Sequence, residues 1–406
     1  MKKILLPTNF TTPRAVDALS NSVQYNFNAI VIALADKYSI PMALINSPED
    51  IKSDTYGIGT APSRYFDTLN QITNEVGINK PRRLKLNELK SEIAKNGTLI
   101  CKNPYQHRGE GVYLVESVDE LLKLLAWKLN THRLAGQKSY GTDDNLPQVT
   151  SIRNAKIVLD ELIKEVNGIL DTGSANSEYA QHIIDSLVFE EYIPSGITTR
   201  ILVDAFGEIQ YVLMLKNIPH EIDHTIKYPQ IDPETDPWWG YLGTWDYPFH
   251  LPIDIPRLHP LSPVKCCTKI ITSNKASGGM SIPIYSLVDH IDISYEQQAV
   301  VSQTNLMVNS IQGLPISQLK QIALLCSKYA LFSGIDLIFD NGEWKFLEVN
   351  LMPSITSDLL VPPDFTIEDL DLELDDSLLQ LVKSSPPHLA TLYLYDIVFK
   401  KISTEC

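Results

Sequence analysis

The sequence predicts a mixed fold of α/β and α+β class, with an N-terminal α/β domain followed by two lobes. Strand-forming residues at 3–6 and 42–45 flank an apolar helical stretch at 29–38, which is typical of a small α/β unit. Further along, apolar strand runs and glycine-containing loops alternate with amphipathic helical stretches. A chain of 406 residues can bury a large core and form two or three domains or lobes.

Composition narrows the function classes. Hydrophobic residues make up 44% of the chain, which argues against disorder. The formal charge of -15 argues against sequence-independent nucleic-acid binding, which needs a basic surface. The apolar run at 1–7 is too short for a secretory signal, and no stretch reaches membrane-spanning length. We expect a cytoplasmic protein without nucleic-acid or membrane partners, and its five cysteines lack metal-site spacing.

Helical stretches mark the divisions of the chain. Helical periodicity at 66–76 stops at Gly77, and Pro81 prevents continuation. Ser117 is predicted to cap a helix at 118–128, and 155–169 shows a second amphipathic pattern. The expected divisions are an N-terminal α/β domain at 1–85, a first lobe at 86–186 with an insertion at 131–186, and a second lobe at 187–406.

The strongest local signal is a β-hairpin near the end of the second lobe. Strand-forming runs at 335–339 and 344–349 flank the pair Asn341-Gly342, which favours a tight turn. Glu348 and Asn350 are two residues apart, so their side chains leave the same face of the strand. A carboxylate in such an apolar run needs a partner, because burying it alone is costly.

The register of this hairpin decides whether a third oxygen ligand joins them. Asp336 lies opposite Glu348 if the loop has three residues or if the hairpin carries a bulge. A strict two-residue turn would instead pair Asp336 with Leu347, on the other face from Glu348. In the first case three oxygen-bearing side chains converge and suit Mg²⁺. The alternative is an edge hairpin whose acids face water.

A lysine and two glycines form a second candidate site in the first lobe. The run at 98–102 reads as a strand that ends in Lys102, and a loop with Gly109 and Gly111 leads to a strand at 112–115. Glycines let backbone N–H groups approach phosphate oxygens, and Lys102 supplies positive charge. A plain turn is the alternative, since the pattern matches neither the dinucleotide-binding fingerprint nor the P-loop.

A third stretch, at 187–203, reads as strand, loop and strand. Glu190 and Glu191 interrupt its apolar first strand, and Arg200 opens the returning strand. The alternative is that Glu190, Glu191 and Arg200 are outward-facing residues of their strands.

Taken in order, these residues resemble the ATP-grasp enzymes, and most closely their amino-acid and peptide ligase branch. The order is a lysine with a glycine loop, then Glu-Glu-Tyr-Ile, then an arginine opening a strand, then Asp336, Glu348 and Asn350. The resemblance spans residues 60–356 with two large interruptions. It implies an ATP-grasp fold whose two lobes enclose the nucleotide. The resemblance implies three sets of site residues. The catalytic residues are Arg200, Lys216 and Asn274, and Asn274 lies near Gly278-Gly279. The nucleotide-binding residues are Lys102, Arg108, Gly109, Gly111, Glu190, Glu191, Ile193 and Thr198, and the metal-binding residues are Asp336, Glu348 and Asn350.

The function that the resemblance implies is ATP-dependent joining of a carboxylate to an amine through an acyl phosphate. The implied cofactors are ATP and Mg²⁺, with Mn²⁺ as an alternative metal, and the substrates would be amino acids or a peptide. A homodimer is open as the oligomeric state. A small-molecule kinase on the same scaffold and a nucleotide-binding protein that has lost catalysis are the alternatives. Two departures from the family pattern favour the second: Thr198 replaces an expected acid, and the lysine expected near Asp67 is absent. A third departure is Thr272 in place of an expected basic residue, for which Lys269 or Lys275 could substitute.

Three further signals compete with this interpretation. Residues 220–224 match the H-E-x-x-H pattern of zinc proteases, but the flanking prolines and the missing helical period argue against the helix which that chemistry needs. The aromatic stretch at 238–250, within an insertion at 217–270, predicts either a self-packed excursion or a wall on the substrate side. The acidic run at 364–376 is expected to be a solvated face.

Overall fold

The computed structural model shows a protein of mixed helix and sheet, as the sequence predicts. The residues it describes are 3–7, 18–45, 47–60, 65–102, 112–126, 129, 152–175, 178–185, 187–217, 220–221, 269–270, 281–287, 313–351, 364–372, 376, 379–380 and 386–405. No helix within these ranges is long and apolar enough to cross a membrane.

The longer α-helices lie within the described residues. They are α1 (Ala18–Lys37), α2 (Tyr65–Val76), α3 (Leu89–Asn96), α4 (118–126), α5 (Ile152–Thr172), α6 (Glu178–Asp185), α7 (Ile316–Cys326) and α8 (Pro386–Glu405). The predicted cap of α4 is confirmed, because the backbone N–H of Glu120 donates to the Ser117 hydroxyl over 3.1 Å. The end of α2 before Gly77 is also confirmed, and Gly77 has a positive φ of 70°.

The strands of the described residues form three sheets, of order β2-β1-β3, β6-β4-β5-β10-β9 and β11-β8-β7-β12-β13. The strands are β1 (Lys3–Leu6), β2 (Met42–Leu44), β3 (Thr55–Gly57), β4 (Leu99–Lys102), β5 (Val112–Val115), β6 (Val188–Glu191), β7 (Ile197–Asp204), β8 (Ile209–Asn217), β9 (His220–Glu221), β10 (Lys269–Ile270), β11 (Ser281–Leu287), β12 (Phe332–Asp340) and β13 (Glu343–Asn350). The strand-loop-strand prediction at 187–203 is therefore confirmed, although β6 and β7 join different sheets.

The first sheet is parallel and confirms the predicted N-terminal α/β unit. Ile4 on β1 pairs with Met42 on one side and with Tyr56 on the other. The helix α1 begins at Ala18, earlier than the sequence pattern predicts. The sequence analysis missed β3, which has three residues and is too short to show a periodic pattern.

The chain divides into two compact units. One comprises Met1–Lys80, Ile197–Leu215 and Pro283–Cys406, and the other comprises Pro81–Gly196 and Lys216–Ile282. The three-part boundaries at 85 and 186 stay a prediction.

In the unit that contains β7, β12 and β13, alternation separates an apolar face of the sheet from a polar one. Ile201, Ile335 and Val349 lie in a buried core with side chains of α2 and α7. Neighbouring residues on the same strands point to the opposite face, because side chains alternate along a strand. That opposite face carries the candidate metal ligands.

In the other unit, the second sheet buries its apolar side against α3, α4, α5 and α6. Cys101 and Phe189 are buried in this core, while Lys102 and Glu190, their neighbours in sequence, turn to the other face. The two strands predicted at 98–102 and 112–115 are β4 and β5, which pair antiparallel with Lys102 opposite Val112.

Candidate active site

Three charged side chains lie in one row across three adjacent strands. Arg200 on β7 pairs in register with Asp336 on β12, and Asp336 pairs in register with Glu348 on β13. Directly paired residues on neighbouring strands have Cβ atoms about 5 Å apart and point to the same face. We call Arg200, Asp336 and Glu348 the charged row. It brings together three side chains that the sequence analysis predicted for the site.

A β-bulge creates this register. The turn has two residues, since Asp340 pairs with Glu343, and the ladder continues regularly to the pair Leu337 and Phe346. The register then shifts by one residue, so that Leu347 has no partner and Asp336 faces Glu348. The prediction that Asp336 faces Glu348 is therefore confirmed through its bulged form, with the short turn that the Asn-Gly pair favours.

Backbone geometry supports the hairpin at its turn and along its outer edge. Both turn residues have a positive φ, 48° at Asn341 and 94° at Gly342, as a tight hairpin of this length requires. Next to the bulge, the N–H of Phe346 donates to the carbonyl of Asn79 over 2.6 Å. The chain segment beside β13 thus satisfies a backbone donor that points away from β12.

Arg200 and Asp336 form a two-pronged ion pair. The Nε of Arg200 lies 2.8 Å from Oδ1 of Asp336, and its Nη2 lies 2.6 Å from Oδ2. The Asp336 side chain is 14% exposed and that of Arg200 is 31% exposed, so water screens the pair only in part. Such parallel bonds are among the stronger ion pairs in proteins, and they fix the orientation of the carboxylate.

The oxygen ligands fit the chemistry of Mg²⁺. Glu348 is exposed and Asn350 is half-buried, while Val349 between them is buried in the core, so both polar side chains leave the polar face. Two carboxylates and one amide oxygen are hard donors of the kind Mg²⁺ prefers. Within the described ranges, no three His, Cys, Asp or Glu side chains group together.

Thr198 stands on the same face, two residues before Arg200 and opposite Ile338. It is 7% exposed, and its hydroxyl has no hydrogen-bond partner within the described part of the chain. A buried hydroxyl without a partner is costly, which marks Thr198 as a position where a bound molecule would contribute a hydrogen bond.

Lys102 and Glu190 meet on the polar face of the second sheet. Glu190 lies opposite Ile100, so the side chain of Lys102 is its diagonal neighbour on the adjacent strand. The Nζ of Lys102 lies 2.5 Å from Oε2 of Glu190. Both side chains are largely buried, at 22% and 11% exposed. The structure therefore brings together two residues that were predicted for nucleotide binding, and Glu190 is not an outward-facing strand residue.

The sequence analysis missed a network that holds the outer side of β6. The N–H of Glu191 donates to the carbonyl of Arg82 over 3.0 Å, and the N–H of Arg82 donates to Oε1 of Glu191 over 3.0 Å. The Arg82 guanidinium reaches Oε2 of Glu92 at 2.6 Å and Oε2 of Glu191 at 3.8 Å. This network positions the backbone of Glu191, which the resemblance assigns to the nucleotide.

The same network changes the acidity of Glu92. Burial by itself would raise the pKa of Glu92, but hydrogen bonds from Arg82 and Asn96 outweigh it and lower the pKa. Conversely, the hydrogen bond to Glu92 raises the pKa of Arg82. Glu92 lies on the buried side of α3, where a carboxylate is unusual. Its place on that side of the helix is the sequence feature that could have indicated the network.

Several predicted residues lie outside the described part of the chain. They are Arg108, Gly109, Gly111, Asn274, Gly278 and Gly279, together with the aromatic stretch at 238–250. Lys216 lies in β8, and its side chain is also outside the described part of the structure. Ile193 follows β6 and is buried at 4% exposed.

The described part of the zinc-protease pattern, residues 220–221, is a strand and not the helix that its chemistry needs. His220 and Glu221 lie in β9, which pairs antiparallel with β10. The acidic run that begins at Asp364 is solvated as predicted where it is described, with Asp364, Asp369 and Asp371 exposed.

No protein-family model matches the sequence, and no curated protein matches it. A D-alanine–D-alanine ligase from Bacillus anthracis is structurally similar, with 12% identity and a TM-score of 0.37, over 100% of this chain and 99% of its own. A RiPP-associated ATP-grasp ligase from Chryseobacterium gregarium, solved with ADP and a leader and core peptide, gives 14% identity and a TM-score of 0.31, over 97% of this chain and 96% of its own.

A third similar structure is the D-alanyl-alanine synthetase A of Vibrio cholerae. It gives 10% identity and a TM-score of 0.32, over 95% of this chain and 98% of its own. ATP-grasp ligases, the family that the sequence motifs resemble, are thus among the solved structures that the chain is similar to.

Proposed function

We propose that the protein is an ATP-grasp ligase that joins a carboxylate to an amine and converts ATP to ADP and phosphate. The observation that carries the proposal is the charged row, in which Arg200, Asp336 and Glu348 lie side by side on one polar face. Phosphoryl transfer needs little covalent chemistry from a protein, and depends mainly on positioned cations and metal ligands. The row supplies both kinds of group.

Asp336, Glu348 and Asn350 would hold Mg²⁺. A bound Mg²⁺ would neutralise the charge that develops on the phosphate oxygens during transfer. Arg200 and Lys216 would stabilise the transferred phosphoryl group through charge-assisted hydrogen bonds.

The nucleotide would draw on a second set of residues. Lys102, Arg108 and the glycines at 109 and 111 would bind phosphates. Lys102 keeps N–H donors for this purpose, because its ammonium has three and Glu190 takes one. Glu190, the carbonyl of Glu191 and the N–H of Ile193 would meet the base, and Thr198 would offer its hydroxyl to the nucleotide.

The reaction would proceed in two steps on the substrate. A carboxylate oxygen attacks the γ-phosphorus of ATP, the bond to the bridging oxygen breaks, and ADP leaves with that electron pair. The amine nitrogen then attacks the acyl carbon, phosphate leaves, and the amine proton passes to the departing phosphate. Holding the two reactants in place supplies much of such catalysis. Amino acids or a peptide are the proposed substrates.

An ADP-release screen over amino acids, singly and in pairs, tests the proposal. A ligase releases ADP rapidly only when both a carboxylate and an amine are present, and one phosphate appears for each amide formed. Mass spectrometry of the product separates the classes. A stable phosphorylated product made without an amine would instead identify a kinase. Nucleotide binding without turnover over the whole panel would identify a binding protein that has lost catalysis.

A further inference from the structure

We propose that Arg200 and the divalent metal compete for the carboxylate of Asp336, so that the metal binds tightly only after a nucleotide phosphate has taken the guanidinium. The inference rests on the proposed function, because it takes Asp336 as a metal ligand. It adds a second role for Arg200. Besides stabilising the transferred group, Arg200 would make metal binding depend on an anionic ligand.

The geometry of Asp336 carries the inference. Both of its carboxylate oxygens accept hydrogen bonds from Arg200, at 2.8 and 2.6 Å. The side chain is largely buried, so its charge is already balanced by the guanidinium in a place where water screens little. A divalent cation that bound the same two oxygens would meet the guanidinium at short range, and the two like charges would repel.

The order of strands places the competitors on opposite sides of Asp336. Arg200 lies on β7 and Glu348 on β13, and β12 runs between them. Metal held by Asp336 and Glu348 therefore draws the Asp336 carboxylate toward β13 and away from Arg200. A carboxylate that is bonded through both oxygens to β7 has to give up at least part of that bonding first.

A nucleotide phosphate removes the conflict. Phosphate oxygens accept the same parallel pair of N–H bonds from an arginine as a carboxylate does. Once Arg200 bonds to a phosphate, Asp336 is released, and the bound phosphate adds negative charge and oxygen ligands for the metal. We infer that metal enters together with the nucleotide.

The test measures Mn²⁺ binding to the full chain without nucleotide, by electron paramagnetic resonance of free Mn²⁺. The wild type should bind weakly. Arg200→Met should bind Mn²⁺ at least about fivefold more tightly, which is the lower end of typical coupling between sites. The double variant Arg200→Met/Asp336→Asn should lose the tighter Mn²⁺ binding that Arg200→Met alone gains.

Lys320 offers a control on the other side of the same sheet. It is exposed on α7, whose Leu319 and Ile322 pack on the apolar face, so Lys320→Met removes one positive charge away from the polar face that carries Asp336. It should change Mn²⁺ affinity by no more than about twofold, because exposed charges at a distance are largely screened. An equal gain in Lys320→Met and Arg200→Met would overturn the proposal, because the effect would then be one of general charge.

A second variant keeps the test decisive if Arg200→Met does not fold. Arg200→Lys keeps the charge but loses the two-pronged geometry, and its Mn²⁺ affinity should lie between those of the wild type and Arg200→Met. Unchanged affinity in both Arg200 variants, with binding still lost in Asp336→Asn, would reject the competition and leave the proposed function intact. Unchanged affinity in Asp336→Asn would remove Asp336 from the metal site itself.

Discussion

Asp336 lies directly opposite Glu348, although the two-residue turn of their hairpin would by itself pair Asp336 with Leu347. The extra residue at the bulge restores the alignment of the two carboxylates. Because a shift of one residue turns every side chain to the other face, the bulge is what places the extra residue, Leu347, outside the regular pairing and keeps the two carboxylates on one face.

Deleting Leu347 should keep the carboxylates aligned. In the shortened strand, Phe346 and Glu348 become successive residues of a regular ladder, opposite Leu337 and Asp336. The affinity for Mn²⁺ in the presence of nucleotide should therefore remain as in the wild type, measured in parallel with thermal unfolding. Lost Mn²⁺ affinity in a folded deletion variant would contradict this prediction. It would show that the bulge orients the Glu348 side chain in addition to setting which residue it faces.

The sequence predicts this hairpin well and its irregularity poorly. Asn341-Gly342 between strand-forming runs indicates the turn, because both positions need a positive φ. No local pattern in the sequence indicates the extra residue at Leu347. The alternation of Glu348, Val349 and Asn350 can be read from the sequence, whereas the ion pair of Arg200 with Asp336 depends on the pairing of β7 with β12, which lie far apart in the chain.

The pair of Lys102 and Glu190 leads to a prediction about nucleotide binding. Lys102→Met removes a phosphate-binding charge and leaves a largely buried carboxylate without its cation, so both nucleotide affinity and stability should fall. A fluorescent ATP analogue measures the first and chemical unfolding the second. Lys123→Met is the control, because Lys123 forms an ion pair with the exposed Asp119 within one helix. Such pairs contribute only about 0.5 kcal/mol. Equal losses in the two variants would contradict the assignment.

Gly57 packs too closely for any side chain. A Cβ at this position would lie 2.5 Å from the carbonyl carbon of Tyr329 and 2.6 Å from the carbonyl oxygen of Lys328, both in the backbone. Gly57→Ala should lower the free energy of unfolding by about 1–3 kcal/mol or more. Gly168→Ala is the control, because Gly168 lies within α5 with nothing within 4 Å of a new Cβ. It should stabilise the protein by about 0.5–1 kcal/mol. Similar effects of both changes in denaturant titrations would contradict this account.

The lowered pKa of Glu92 predicts a pH-dependent contribution to stability. A carboxyl group whose pKa is lower in the folded state stabilises the fold above its unfolded pKa, and the contribution is lost as pH falls through the folded pKa. Glu92→Gln should therefore destabilise the protein at neutral pH, with a difference from the wild type that shrinks as the pH falls below about 4. Asp171→Asn is the control. Asp171 is a more exposed carboxylate that pairs with Lys90, so its replacement should change the free energy of unfolding little. A difference for Glu92→Gln that is constant with pH would contradict the prediction.

Turnover of Glu348→Gln tests the central claim most directly, since Glu348 is exposed and the change keeps its shape and removes only its charge. ADP release with Mg²⁺ and the best substrate pair from the screen should fall by at least about 100-fold, because metal stabilisation of the transferred phosphate supplies several kcal/mol. Thermal unfolding should stay unchanged. Glu343→Gln, an exposed glutamate on the same strand, should keep wild-type turnover. Wild-type, Mg²⁺-dependent ADP release from folded Glu348→Gln would contradict the claim that Asp336, Glu348 and Asn350 hold the catalytic metal.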